Sequence, residues 1–310
     1  MKTLFLILIF FLIIGCNNDD IKINKDNKDN HSNLESPYAP GDFCKAVASN
    51  NVKKVKNMLK NERVFVDEMN FYDEYHAGKT PLQYASKNGF REIVKLLLEY
   101  EASINVEDIN GRTPLYEACE GEHIKIAELL LQNKANVEGG KNHVWTPLYL
   151  VAATKNIKLA KILLKYGANV HVSDRRFPGK TILHRASRWG QSNMVKLLIS
   201  KGVKVNAKYL GDTPLLYAVR SNHIEAAKVL IKNGADVNTG TGDNPLHTVC
   251  LYGNFEVAKL LLENGADPNI KNSSDRTPLD LAKLKVQNPQ NVNKKGRKKI
   301  IELLQKYNAK

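Results

Sequence analysis

From about residue 42 onward the apolar positions of this chain recur in a fixed register. A leucine (Leu82, Leu115, Leu148, Leu183, Leu215, Leu246, Leu279) is followed three residues later by a small apolar residue (Ala85, Ala118, Val151, Ala186, Ala218, Val249, Ala282). Fourteen to sixteen residues behind the leucine, six copies carry an aliphatic triplet, from Leu96-Leu97-Leu98 to Leu260-Leu261-Leu262. Polar residues fill the intervals. Each copy therefore reads as a short helix of about two turns followed by a longer helix with one apolar face. Endings such as Gly167-Ala168-Asn169-Val170 and Gly234-Ala235-Asp236-Val237 predict a glycine stop for the longer helix.

The leucine closes a Thr-Pro-Leu motif at Thr80, Thr113, Thr146, Thr213 and Thr277, with degenerate copies at Thr181-Ile182-Leu183 and Asn244-Pro245-Leu246. Successive starts lie 33, 33, 35, 32, 31 and 33 residues apart. Thr or Asn caps the free N–H groups of a first turn, and Pro at the first helical position gives up no needed donor. A period near 33 signals one small unit stacked in a row, with helices joined by short loops. The chain thus resembles the ankyrin repeat family. The family's T-P-L-H-x-A signature is approached in Thr181-Ile182-Leu183-His184-Arg185-Ala186 and Asn244-Pro245-Leu246-His247-Thr248-Val249, and without His in the other copies. The resemblance implies an all-α solenoid of about eight helix-turn-helix repeats with short β-hairpin loops, spanning residues 42–310. An N-terminal cap, residues 42–77, keeps the apolar pattern in Phe43, Ala46, Val55, Met58 and Leu59 but lacks the Thr-Pro turn. Repeats start near 78, 111, 144, 179, 211 and 242, and a polar C-terminal cap covers 275–310, interrupted by Gln287 to Lys295.

The first 41 residues read differently. Leu4 to Ile14 is an unbroken apolar run of 11 residues, too short to span a bilayer as a helix but suited to an export signal. Ile13-Ile14-Gly15-Cys16 resembles the bacterial lipobox. That resemblance implies a signal peptide over residues 1–15, cleavage after Gly15, and a lipid attached to Cys16 as the membrane anchor. An ordinary signal peptide, or a short uncleaved anchor with an incidental cysteine, is the alternative. Asn17 to Pro40 is rich in Asn, Asp and Lys and has too few apolar residues to fold. A flexible coil of that length reaches about 27 Å. The expectation is a monomeric folded body on a leash in the bacterial cell envelope, as a lipoprotein facing the periplasm or the exterior.

Composition adds little to this picture. A net charge of +14 suits an acidic partner, nucleic acid or an anionic surface, but part of the Lys excess belongs to a composition rich in Lys, Asn and Ile throughout. Export and the lack of a nucleic-acid fold motif argue against nucleic acid. Cys44, Cys119 and Cys250 form no C-x-x-C pair; Cys119 and Cys250, four residues after a repeat leucine, read as small packing residues, and no disulfides are expected. No phosphate-cradling glycine loop, G-x-S-x-G, H-E-x-x-H or convergent carboxylate pair occurs. His184 and His247 stand where the family braces its turns. His123 and His223 share one repeat position but lie three repeats apart. The reading is a non-enzyme without cofactor or metal.

Function then belongs to the surface. The resemblance implies partner binding by the loop tips before each Thr-Pro and by the exposed side of the first helix, the concave face of the family. Helical periodicity supports the second surface, because the fifth residue after the leucine turns away from the core. The positions so selected hold both tryptophans of the chain. Trp145, Phe177, Arg188, Trp189, Tyr209, Arg220 and Tyr252 are the expected partner-binding strip, being residue types that dominate hot spots. Local packing against neighbouring loops is the alternative for any one of them. An insertion from Asp67 to Ala77, carrying Phe71, Tyr72 and Tyr75, is a second contact loop or a lid over the first groove. The expected function is a protein–protein interaction scaffold tethered to the envelope. The alternative is an accessory or inhibitory subunit of an envelope enzyme.

Overall fold

In six of the eight repeats the first helix starts where a capping side chain meets a proline; after Thr181 an isoleucine follows the cap, and the helix from Asp42 has neither. Thr113, Thr146 and Thr213 accept from the backbone N–H three residues on, at 3.3, 3.2 and 3.3 Å, and Asn244 does the same at 3.0 Å. Each cap sits in extended backbone with Pro directly behind it. A computed structural model describes residues 41–61, 64–69, 78–142, 145–240, 242–284 and 293–309. Cys16, the leader, the tether, the aromatics of the Asp67–Ala77 insertion, and much of the Gln287–Lys295 interruption lie outside these residues.

Among the described residues there are sixteen helices, which fall into eight pairs. The first pair is α1 (Asp42–Ala48) with α2 (Val52–Lys60), followed by α3 (Pro81–Asn88) with α4 (Arg91–Glu99). Next come α5 (Pro114–Glu120) with α6 (Ile124–Gln132), and α7 (Pro147–Val151) with α8 (Ile157–Lys165). The chain continues through α9 (Ile182–Arg188) with α10 (Ser192–Ser200), and α11 (Pro214–Arg220) with α12 (Ile224–Lys232). It ends in α13 (Pro245–Tyr252) with α14 (Phe255–Glu263), and α15 (Pro278–Lys283) with α16 (Lys294–Lys306). First helices pack on first helices of the next repeat, and second helices on second helices, giving two parallel rows. The loops between pairs contain isolated antiparallel bridges, Ser173 with Thr181 and Tyr209 with Asp212, rather than extended strand ladders.

One continuous core runs the length of the array. The motif leucines Leu82, Leu115, Leu148, Leu183 and Leu246 are fully buried, as are Leu97, Leu130, Leu163, Leu198, Leu230 and Leu261 from the triplets. Each such side chain contributes about 1.5–3 kcal/mol by leaving water. Phe43, Ala46, Val55, Met58 and Leu59 of the first pair join the same core. Cys44, Cys119 and Cys250 are buried free thiols. Burial pushes the Cys44 thiol up to about 11, so it stays protonated and unreactive at neutral pH.

Repeats are also stitched by a ladder along the loops. Asn105 Oδ1 accepts from the Asn136 N–H at 2.7 Å, and Glu138 from that of Asn169 at 2.7 Å. Asn206 and Asn238 take the N–H groups of Asp236 and Asp267 at 3.0 and 2.9 Å. Each side chain satisfies a backbone donor one repeat away, so loop spacing and helix spacing reinforce each other. His123 has a comparable role. Its Nε2–H donates to the Lys87 carbonyl at 2.9 Å, and its ring lies against Gly89. Gly89 sits at φ 81°, and a Cβ there would meet His123 Cε1 at 2.7 Å. His223 fills the same space beside Gly190.

Candidate protein-binding face

The face built from the first helices and their preceding loops carries the chain's polar and aromatic clusters. His184 and His247 are buried beneath it as braces. His184 Nδ1 accepts from the Thr181 N–H at 3.1 Å, and its Nε2 donates to the Asp212 carbonyl at 3.1 Å, tying one loop to the next. His247 Nε2 reaches the Arg276 carbonyl at 2.9 Å in the same way. In the first Thr-Pro repeat Gln83 replaces the imidazole: its Oε1 accepts from Thr80 N–H at 2.7 Å and its Nε2 donates to the Arg112 carbonyl at 2.7 Å. Burial holds His184 below the ordinary imidazole range.

Toward the N-terminal end lies a charge-balanced cluster. Glu117, fully buried on α5, is met by Lys79 and lies 3.6 Å from Arg112 and 3.8 Å from Lys87. Lys79 also bonds Asp108 at 2.9 Å, while Glu120 takes Lys87 at 2.9 Å and Arg112 at 3.3 Å. Three cations thus face three carboxylates. Burial works against the Asp108 charge, but the Arg112 N–H and the Lys79 ammonium outweigh it and hold the carboxyl below its ordinary range. Glu120 is held low in the same way, with Lys87 and Arg112 overcoming its burial. The hydrogen bond to Glu120 raises Lys87 in return.

The centre of the face is different. Trp145 is half-buried, packs against the core, and donates its indole N–H to Asp174 Oδ2 at 2.8 Å. The Arg185 guanidinium lies 4.1 Å from the Trp145 ring centroid and 5.0 Å from that of Tyr149. Arg176 lies 5.3 Å from Trp145 and 5.6 Å from Phe177, and Lys180 is 5.3 Å from Phe177. Phe177 meets Tyr209 edge-on at 6.3 Å. The structure therefore brings Trp145, Phe177 and Tyr209 together with cations between them. Trp189 and Phe177 are 56% and 42% exposed, enough to leave ring faces free for a partner. Arg188 is exposed beside Trp189, and Arg220 is exposed but paired with Asp212. Tyr252 stands exposed on α13.

Arg185 and Glu117, the residues that organise the two clusters, are not among the positions that the sequence reading selected. Both lie two residues after their motif leucine. At about 100° per residue that places them near 200°, between the fifth and sixth residues at about 140° and 240°. The same periodicity that pointed to Trp189 therefore includes them, and charge at that position was the available signal.

Among the described residues, no group of three or more His, Cys, Asp or Glu side chains is placed to hold a metal ion. No described helix is long and apolar enough to cross a membrane.

These features define a helical repeat protein whose recurring motif residues brace the scaffold and whose outward face carries residues that differ from copy to copy. The ankyrin repeat family model, described as ankyrin repeats in three copies, matches residues 43–140, 105–174, 137–209, 201–272 and 238–310. The chain belongs to the ankyrin repeat family. It is 37% identical over 68 residues to a putative ankyrin repeat protein of Rickettsia bellii, a stretch covering 22% of this chain and 10% of that protein. It is 42% identical over 72 residues to protein phosphatase 1 regulatory subunit 12A of Mus musculus, covering 22% of this chain and 7% of the relative. These matches take in only a small part of each relative's length. The human ASB11 ankyrin repeat domain superposes with a TM-score of 0.62 at 28% identity, over 72% of this chain and 98% of that one. The ankyrin repeat domain of Bcl-3 gives 0.59 at 23%, over 74% and 99%, a likeness of fold. Ankyrin repeats make the array a protein–protein interaction scaffold of a kind that is typically non-enzymatic.

Proposed function

We propose that the chain is a non-enzymatic scaffold, held at the bacterial cell envelope by a lipid on Cys16, which seats a protein partner on its first-helix face. The observation that carries the binding site is the central cluster in which half-buried Trp145 and exposed Phe177 are interleaved with Arg176, Lys180 and Arg185, with Trp189 exposed at the end of the helix that carries Arg185. Aromatic and arginine side chains of this kind anchor interfaces because they bury a large area with few rotors. The lipobox-like Ile13-Ile14-Gly15-Cys16 supports the tether.

Crosslinking pull-down from membranes tests the site. The Arg188→Ala, Trp189→Ala double variant is expected to lose the partner that the wild type captures, with circular dichroism and melting unchanged. Both side chains are exposed and on one helix end, so their removal leaves the core intact. Undiminished capture of the same partner would place the site elsewhere.

A regulatory reading has one support of its own, the resemblance to part of a protein named as a regulatory subunit of a phosphatase. It predicts that the captured partner is an enzyme and that its turnover changes when the array is added. Constant turnover at saturation would leave the plain scaffold.

A further inference from the structure

The two clusters on the first-helix face differ in their charge balance. Lys79, Lys87 and Arg112 are matched one for one by Asp108, Glu117 and Glu120. At the centre, with Asp212 paired to Arg220, the cations Arg176, Lys180, Arg185 and Arg188 are left with a single carboxylate, Asp174. That carboxylate is already engaged: it is buried, accepts the Trp145 N–H at 2.8 Å and the Arg176 N–H at 3.0 Å, and lies 3.6 Å from Arg176 Nε. Among the described residues, Lys180, Arg185 and Arg188 form no ion pair within 4.0 Å. Arg185 is the most deeply buried of them, with Asp174 and the Tyr149 hydroxyl as its favourable neighbours. Its guanidinium lies over the Trp145 ring, and its Nε is buried without a hydrogen-bond partner. Burial pushes Arg185 below its usual basicity, and burial together with Arg188 does the same to Lys180. Desolvated like charges held together raise the energy of the free surface, and an anion placed among them lowers it.

We infer that this patch receives an acidic segment of a protein partner, one or two Asp or Glu carboxylates docking among Lys180, Arg185 and Arg188 with an apolar side chain against Trp189. The inference rests on the first-helix face being the binding face and adds the partner's chemistry. A carboxylate matches the planar guanidinium fork. The exposed indole of Trp189 beside it supplies an apolar seat. The patch is also short. Glu120 lies in the cluster on one side of it, and Asp212, paired with Arg220, lies on the other. A nucleic-acid strand, with a phosphate every ~3.4 Å, would run from the cations into these acids. A peptide with one or two carboxylates fits between them.

Panning the full chain against a random dodecapeptide display library tests this directly. Recovered peptides are then titrated by fluorescence anisotropy against the wild type, Trp189→Ala, and the Lys180→Gln, Arg188→Gln double variant. Lys180 and Arg188 contribute charge and no core packing, so the double variant keeps the fold, and melting verifies that. The expected result is recovery of peptides enriched in Asp and Glu, bound about tenfold or more weakly by the charge variant and weakened by moderate salt. Neutral or basic peptides that still need Trp189 would overturn the acidic partner and leave the binding face standing. Peptides indifferent to all three substitutions, or no binders above background, would overturn both. Displacement of an acidic peptide by a dodecathymidylate or by phosphatidylglycerol vesicles at lower charge concentration would assign the patch to phosphate and overturn the inference.

Discussion

His184 shows how one side chain joins two loops, and what that costs at low pH. Its ring is fully buried and neutral, accepting from Thr181 and donating to Asp212. Its folded pKa lies below the unfolded value of about 6.5, so its contribution to stability is present above that pH and lost as pH falls through the folded value. Gln83 makes the equivalent pair of hydrogen bonds with no titrating group. His184→Gln is therefore expected to keep most of the stability at pH 7 and to flatten its decline as the pH falls below about 6.5. Melting temperatures across that range check it; parallel curves for the two proteins would contradict it. A second residue-scale effect sits at the helix ends. Gly167, Gly202, Gly234 and Gly265 take left-handed backbone after second helices, whereas Glu101 and Lys134 adopt it with side chains, at φ 61° and 67°. An L-residue is strained there by roughly 1–2 kcal/mol. Lys134→Gly should stabilise the array by about 0.5–1 kcal/mol, part of the relief being offset by the entropy of glycine in the unfolded chain. Urea denaturation reads the sign.

At the scale of elements, a helix position is fixed by what its neighbour supplies. α5 places Glu117 in the interior, and that is tolerable because Lys79, in the loop before α3, Arg112, in the loop before α5, and Lys87 on α3 reach it. Lys79→Ala leaves both Glu117 and Asp108 with one partner fewer in a buried site. The expected loss is about 1–3 kcal/mol, localised to the first three repeats and visible as earlier amide exchange in α3 and α5; equal exchange in variant and wild type would exclude it. The cluster also sets an acid limit. Asp108 and Glu120 have folded pKa values below their unfolded ones, so their stabilisation holds above about pH 4 and disappears as pH falls through the folded values. Lys87 is raised, so its share persists until pH rises past about 10.4 and through its folded value.

For the whole molecule, each repeat contacts its neighbours in two rows, so stability is close to a sum over repeats and their interfaces. The body needs no lipid to fold, because its core is continuous from Phe43 to Leu304. Metabolic labelling with a radiolabelled fatty acid is expected to mark the wild type and to be lost in Cys16→Ala, while the variant body stays folded and leaves the membrane fraction. Labelling that survives the substitution would refute the anchor.

The repeat register, the caps, the buried leucines and the bracing histidines were legible in the chain because each is set by local periodicity and by chemistry a few residues wide. Trp189 and Arg188 were reachable by the same arithmetic. The partners of Trp145 were not. Its indole meets Asp174 and Arg185, 29 and 40 residues away, and only the stacking of one repeat on the next brings them together. The contrast between a cluster with three carboxylates for three cations and one with a single carboxylate for four likewise has no counterpart along the chain, where acids and bases are mixed throughout. Sequence by itself determined the scaffold and the direction each position faces. Tertiary structure decided which charges neutralise one another across repeats and which remain for a partner, because Coulomb interactions depend on distance in space.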